Sequence, residues 1–305
     1  MCGNILALSD YALMDVLSHA IRGVIVAAPG KALFVADFAS IEARVVLWLA
    51  GDTTALKLFG HQGVDIYGAF ASEFYGYPVT KETHPRERAL FKVAVLALVY
   101  QMGWSEFQAT ALAMEKLVIT DDVAQQVVTA YREKYWRVKE MWNAQEAAAI
   151  RAVARPHHVV KSAMVEWVTA GRFLYCQLPS GRRLAYPDPE VHTRSTPWGA
   201  ERPALTFMGI NSYTRKWERQ HTYGGSLVEN ITQSVARDLL AHALLSCEED
   251  GRFLPVLSAH DEVVAEGELG LNIQDFSALV TNCPQWADGL PIAAEAWSGQ
   301  RYRKG

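Results

Sequence analysis

Val35-Ala36-Asp37-Phe38-Ala39-Ser40-Ile41-Glu42-Ala43-Arg44 is the stretch on which the reading of the chain turns. An apolar run, Ala32 to Ala36, ends in the carboxylate of Asp37. Ser40, Glu42 and Arg44 then lead into the helical pattern Val45, Val46, Leu47, Leu49 and Ala50. A strand that delivers an Asp at its tip, with a helix starting just after, suits a metal or phosphate site. The plainer reading is a helix cap, since Asp and Ser are the usual cap residues. The choice rests on what the rest of the chain supplies.

At 305 residues the chain exceeds one average domain, and with half its residues hydrophobic it can bury a sizeable core. The net charge of −4 makes no case for nucleic acid by itself, but the charge is unevenly placed. Residues 151–220 hold 11 Lys+Arg against 5 Asp+Glu, so the remainder carries −10. That segment fits a confined polyanion-binding face and fits an ordinary solvated surface equally well. Cys2, Cys176, Cys247 and Cys283 form no CxxC pair, which argues against a zinc site and a disulfide framework. No signal peptide and no membrane-length apolar run is evident, so a soluble protein of a reducing, cytoplasmic compartment is expected.

In chain order, a short helix is expected over Tyr11 to Ile21, then an extended piece Val24 to Ala28 closed by Pro29-Gly30. After Pro85, the run Arg86 to Met102 lacks Gly and Pro and reads as one helix. Arg88, Lys92, Leu96 and Tyr100 recur at i, i+4 and form one stripe along it. Two cations followed by an aromatic suit a phosphate tail and a ring or sugar; the alternative is a solvated end leading into a buried helix. Asp121 and Asp122 open a helix expected to run to about Ala154. Residues 159–210 read as short strands, with Arg182 and Arg183 in a turn, and Asn211 to Arg219 as a short polar helix or loop. An amphipathic helix from Ser226 to Glu248 follows Gly224-Gly225. Then comes a hairpin, Phe253 to Glu266, with His260-Asp261-Glu262 at its tip, a helix Asn272 to Thr281 and an edge strand Ile292 to Trp297.

Two carboxylates in an acidic turn repel each other, so a nearby cation would stabilise them. With Asp37 at a second strand end, the set could bind two Mg²⁺ ions while Arg88 and Lys92 hold a polyphosphate. That is the equipment of in-line phosphoryl or nucleotidyl transfer.

The chain resembles the polymerase module of family A (DNA polymerase I-like) DNA polymerases, and bacteriophage members in particular. Asp37 to Arg44 resembles the first palm motif. Arg88, Lys92 and Tyr100 fit the Arg-x3-Lys-x7-Tyr spacing of the fingers helix, and His260-Asp261-Glu262 resembles the third motif. Leu178 to Arg182, and Tyr223-Gly224-Gly225 through Asp238, are similar to further family segments. The resemblance implies an α+β fold, a right hand with an antiparallel-sheet palm (residues 1–51 and 156–305) and helical fingers (52–155). It implies template-directed addition of deoxynucleotides to a primer 3′-hydroxyl, with release of pyrophosphate.

The roles it implies are these. Asp37, Asp261 and the carbonyl of Phe38 would hold the two Mg²⁺ ions. Arg88 and Lys92 would grip the triphosphate, with Lys92 protonating the leaving pyrophosphate, and Leu96 would line the nucleotide pocket. Glu42, partnered by Tyr100, would exclude a ribose 2′-hydroxyl. His260 and Glu262 would sit near the primer terminus, and Arg182, Arg183 and Gln233 would touch the duplex. The chain departs from the pattern at Leu96, usually aromatic, at Gln101, where Gly is common, and at Tyr67, where many relatives place His. At Asn230 it departs by one position, since Glu229 occupies the usual Asn site.

With 36 residues ahead of Asp37, no thumb or exonuclease domain is expected, and DNA should be held weakly. A separate chain carrying those parts is then an expected partner, beside primer–template DNA and deoxynucleoside triphosphates; a phage origin would place the protein in the cytoplasm of a bacterial host. Two other readings compete. One is an idle DNA-binding remnant or one subunit of a split polymerase; the other, a metal-dependent nuclease, leaves Glu42 and the Arg88–Lys92–Tyr100 stripe without a role.

Overall fold

The computed structural model describes residues 21–60, 65–195, 199 and 201–303. The helix expected from Tyr11 lies outside them except for Ile21. Contacts divide the chain into two compact units: Met1–Ile41, Arg237–Pro284 and Ile292–Gly305 in the first, Glu42–Ala236 and Gln285–Pro291 in the second.

The first unit is built on β1 (Lys31–Phe38), whose apolar run is continuous because the strand is buried on both faces. It is an inner strand of an antiparallel sheet ordered β11-β1-β10-β9, with β9 (Leu254–Ala259), β10 (Glu262–Glu268) and β11 (Ala294–Gly299). On one face Leu33 and Val35 pack with Val264 and Tyr302. On the other, Phe34 meets Phe253 edge-on at 5.0 Å and Phe276 of the C-terminal helix at 5.9 Å. Pro255 is tolerated because β9 is an edge strand. Strands β9 and β10 join through the two-residue turn His260-Asp261, so the expected acidic hairpin is present.

The second unit contains α1 (Ile41–Leu49) apart from Ile41 itself, α2 (Thr53–Gly60), α3 (Ile66–Tyr75), α4 (Pro85–Ala97), α5 (Trp104–Glu115), α6 (Asp121–Lys134) and α7 (Trp136–Ala154). Two small antiparallel sheets follow. One is ordered β2-β3-β4-β5 (Val160–Ser162, Val165–Ala170, Phe173–Gln177, Arg183–Pro187), the other β6-β7-β8 (Glu190–Ser195, Glu201–Ile210, Trp217–Thr222). Helix α8 (Gly224–Asp250) contributes residues to both units, and α9 (Ile273–Val280) belongs to the first.

Three expectations need correction. The helix expected from Asp121 to Ala154 is two, broken at Tyr135 (φ −103°, ψ 45°). There the Tyr131 and Tyr135 rings are both buried, 4.8 Å apart, and Tyr135 also packs edge-on against Phe70; one straight helix would not serve these contacts. The helix expected to run through Met102 stops at Ala97 and tightens into a 3₁₀ turn, Leu98–Tyr100. Gln101 then takes a left-handed backbone (φ 66°), a conformation that glycine adopts without cost. Asn211 to Arg219 is neither helix nor loop throughout: a hydrogen-bonded turn ends at Lys216 and β8 starts at Trp217.

Gly224 and Gly225 are dictated by close approach. A Cβ on Gly224 would lie 2.2 Å from the Trp142 carbonyl oxygen, and one on Gly225 2.2 Å from that of Tyr100. The Gly225 amide donates to Gln101 Oε1 at 2.9 Å, pinning the start of α8 against the 3₁₀ turn.

Candidate active site

The acidic cluster of the first unit is set by strand register. Asp37 lies opposite Glu262 on β10 and opposite Glu295 on β11, so three carboxylates stand side by side across the sheet. The Phe38 amide donates to the Asp261 carbonyl at 3.1 Å, which fastens the acidic turn to the end of β1. The turn itself puts His260 in the left-handed region (φ 56°). His260 Nδ1 sits 3.2 Å from Asp261 Oδ1, with the ring largely exposed.

Like charges directly opposite one another are destabilising, and here they are concentrated. Burial, a hydrogen bond with the Asp261 carboxyl, and then the charges of Asp261, Glu262 and Glu295 push the Asp37 carboxyl up to about 6. Glu262 is buried and its Oε1 accepts from the Tyr302 hydroxyl, which burial and the Glu262 carboxylate push up to about 12. The cluster lines a cleft of about 660 Å³ whose wall also includes Arg22, Trp297 and Arg303. Each of these arginines lies over a ring, Arg22 over Tyr302 at 5.5 Å and Arg303 over Trp297 at 5.2 Å.

The donor set fits a hard divalent cation. The Asp37 and Asp261 carboxyls lie within hydrogen-bond reach of each other, and a cation between them would relieve their repulsion. Among the described residues no group of three or more His, Cys, Asp or Glu side chains is arranged to hold a metal ion by itself. Mg²⁺ does not require one, since it is commonly held by one or two carboxylates together with water and substrate phosphates.

The second unit carries the remaining candidates. From Leu90 to Tyr100 every residue is buried except Lys92, Leu96 and Tyr100, so the stripe is the half-exposed face of a helix buried elsewhere. Arg88, one turn earlier, is also half-buried. Its guanidinium holds Asp65 through two bonds, Nε to Oδ2 at 2.5 Å and Nη2 to Oδ1 at 3.1 Å, and lies 5.4 Å over the Tyr67 ring. Asp65 also caps α3 by accepting from the Tyr67 amide. Lys92 Nζ pairs with Glu115 at 3.0 Å.

The Tyr100 hydroxyl donates to Glu42 Oε2 at 2.7 Å, joining the 3₁₀ turn to the first turn of α1. Burial, then the Glu42 carboxylate, hold the Tyr100 phenol well above its ordinary range. Burial and Glu42 likewise raise the Glu229 carboxyl, so the Asn230 register shift leaves an acid close to the Glu42–Tyr100 pair. Arg44, in the same opening stretch, is buried. It donates to the carbonyls of Phe59 (3.3 Å) and Pro291 (3.0 Å) and lies over the Phe59 ring, so it is a structural residue.

Arg182 Nη2 donates to the Ser234 carbonyl at 2.7 Å, and Arg183 Nε to Gln177 Oε1 at 3.1 Å. Gln233 lines a shallow cleft with Leu184, Tyr186, Asn230 and Ser234. The residues that sequence reasoning passed over are Asp65, Glu115, Glu295 and Tyr302. Only Asp65 had a local signal, as the polar residue just ahead of a helical run. The others are placed by register or by packing of distant segments.

A family model described as DNA polymerase family A matches residues 12–303. The DNA polymerase of Bacillus phage SP02 is 37% identical over 294 residues, covering 95% of this chain and 44% of that protein. The thermostable DNA polymerase I of Thermus aquaticus is 26% identical over 254 residues, 82% of this chain and 24% of its own. Among solved structures, the POL domain of Pol1 from M. smegmatis, in complex with DNA primer-template and dNTP, is similar with a TM-score of 0.59 at 19% identity. The match covers 93% of this chain and 42% of that one. That likeness is one of fold, a mixture of helices and antiparallel sheet, and the chain spans under half the length of the phage relative. On sequence the assignment is direct: the chain belongs to DNA polymerase family A.

Proposed function

We propose that this chain carries the catalytic core of a template-directed DNA polymerase, with residues 1–51 and 156–305 as palm and 52–155 as fingers. The observation that carries the reading is the convergence of Asp37 with Asp261, in register with Glu262 and Glu295. An acidic cluster this concentrated has a use in holding divalent metal and little use otherwise.

On this reading Asp37 and Asp261, with the Phe38 carbonyl, would hold two Mg²⁺ ions. Bound there, the ions would supply a lowered pKa for the primer 3′-hydroxyl and charge neutralisation on the triphosphate. Arg88 and Lys92 bind the triphosphate through charge-assisted hydrogen bonds. Lys92, the ammonium of the pair, is the group able to give a proton to the leaving pyrophosphate. Glu42, held by Tyr100, excludes a 2′-hydroxyl by filling the space that the hydroxyl would need. Tyr302 fixes the orientation of Glu262 beside the acidic turn. Arg182, Arg183, Gln233 and His260 contact primer–template DNA.

Primer extension with all four deoxynucleotides and Mg²⁺ tests the reading. Extension by the wild type and its loss in Asp261→Ala is the expected result. DNA binding without extension would favour an idle remnant, and shortening of the primer a nuclease. A separate chain carrying thumb or exonuclease parts would show itself by lengthening the products when added.

A further inference from the structure

The three-stranded sheet β6-β7-β8 lies outside every site described above, and its register sorts its side chains by charge. Arg194 on β6 is directly opposite Arg202 on β7, and Ile210 on β7 is directly opposite Trp217 on β8. Arg202 and Ile210 are eight residues apart on one strand, so by the two-residue period all four share one face. Arg219, opposite Met208, is on that face too and confirms it by donating to Thr206 Oγ1. Glu201 and Glu218 alternate to the other side, and Glu218 is occupied by Asn211 and Thr214. The one carboxylate on the Arg face is Glu190, already held by Arg219 and His192.

Two arginines paired across strands are destabilising unless an anion lies between them. Among the described residues neither Arg194 nor Arg202 has an ion-pair partner, and both are exposed. At the far end, the β7–β8 turn is hydrogen-bonded: Asn211 Oδ1 accepts from the amides of Tyr213 and Thr214, and Arg215 adopts a left-handed backbone (φ 58°). This turn holds Tyr213 at 95% exposure beside Arg215, Lys216 and Trp217, the last 58% exposed. Exposed aromatic rings are available to stack on bases, and at 95% exposure Tyr213 has no packing role.

Cations at one end, aromatics flanked by cations at the other, and about 26 Å of strand between them are the elements of a surface for single-stranded nucleic acid. We propose that this face binds one nucleic-acid strand, its phosphates on Arg194 and Arg202 and on Arg215, and its bases on Trp217 and Tyr213. An acidic protein would also meet the cations, but it would leave the projecting rings without a stacking partner.

The test is fluorescence anisotropy of a short labelled oligo(dT) with the full chain, in EDTA so that no catalysis intervenes, across a salt series. Replacing both arginines (Arg194→Gln with Arg202→Gln) should weaken binding and reduce the log–log salt slope by about 1.4, for two lost phosphate contacts on a single strand. Trp217→Ala should weaken binding roughly tenfold with the slope unchanged, and Trp217→Phe should retain most of the affinity. Affinity unchanged in both the double variant and Trp217→Ala overturns the proposal. So does a Trp217→Ala that is neutral while polyglutamate competes as well as DNA, an outcome that assigns the face to an acidic protein. Trp217→Phe keeps the test readable should the alanine variant fail to fold. The same variants should extend a short primer at the wild-type rate. Absence of extension in every chain, wild type included, would count against the polymerase reading and leave this one standing.

Discussion

Lys92 and Arg88 each hold a carboxylate where the proposed reaction requires a phosphate. Glu115, the partner of Lys92, is partly exposed, and an ion pair in that setting contributes at most about 1 kcal/mol, so exchange for a triphosphate is cheap there; the two-bond Arg88–Asp65 pair is the stronger of the two. Glu115 would then act as a competitor for Lys92. Glu115→Gln is expected to lower the nucleotide KM by roughly 2–5-fold with little change in kcat, whereas Lys92→Ala should raise KM and lower kcat together. A KM unmoved by Glu115→Gln in steady-state kinetics would remove the competition. The Glu42–Tyr100 bond carries a second expectation: Glu42→Ala should raise ribonucleotide incorporation, by roughly 10–100-fold if one buried polar mismatch of about 1–3 kcal/mol is relieved. Competitive incorporation of ribo- and deoxynucleotides reads it directly, and an unchanged ratio would take the sugar-gate role from Glu42. At this scale the sequence carried the residues whose spacing is local, namely Arg88, Lys92 and Tyr100. It did not carry Glu115 or Glu295, because neither helix packing nor strand register can be counted along the chain.

Elements were legible where a single pattern runs the length of the segment. Strand β1, a continuous apolar run ended by Asp37, and the hairpin around Asp261 have the expected form. The misread segments are those where tertiary packing overrides local propensity. Nothing between Asp121 and Ala154 breaks a helix by composition, yet the chain turns at Tyr135 to bury two rings. The 3₁₀ turn at Leu98–Tyr100 is likewise invisible to periodicity; the anomalous Gln101 was its only trace. The same turn fixes a stability prediction. Gly225 passes so close to the Tyr100 carbonyl that a methyl group has no space, and its amide is committed to Gln101. Gly225→Ala should therefore destabilise by about 1–3 kcal/mol or more, despite the higher helix propensity of alanine. Denaturant titration by circular dichroism measures it, and a variant as stable as wild type would mean that the turn shifts without cost.

At the scale of the whole molecule, Asp37 and Asp261 lie far apart in sequence and meet only when β1 pairs with β10. The unfolded chain has no such pair to offer, so a divalent cation that binds there binds the folded state alone and must stabilise it. At tenfold excess over Kd the gain is about 1.4 kcal/mol, which for a protein of this size corresponds to a rise in Tm of roughly 2–4 °C. The acidic cluster makes the effect specific. Removing one carboxylate by Asp37→Asn or Asp261→Asn relieves repulsion in the metal-free protein, so each variant should melt at or above the wild-type Tm in EDTA. Each should also lose the Mg²⁺-dependent rise. These two movements oppose each other, which separates a metal site from a merely structural one: loss of a structural carboxylate would lower Tm in EDTA and leave the response to Mg²⁺ intact. Thermal melts of the three chains with EDTA and with excess Mg²⁺ decide between them. A rise of equal size in all three would place the cation elsewhere and remove the principal support for two-metal catalysis at this sheet end.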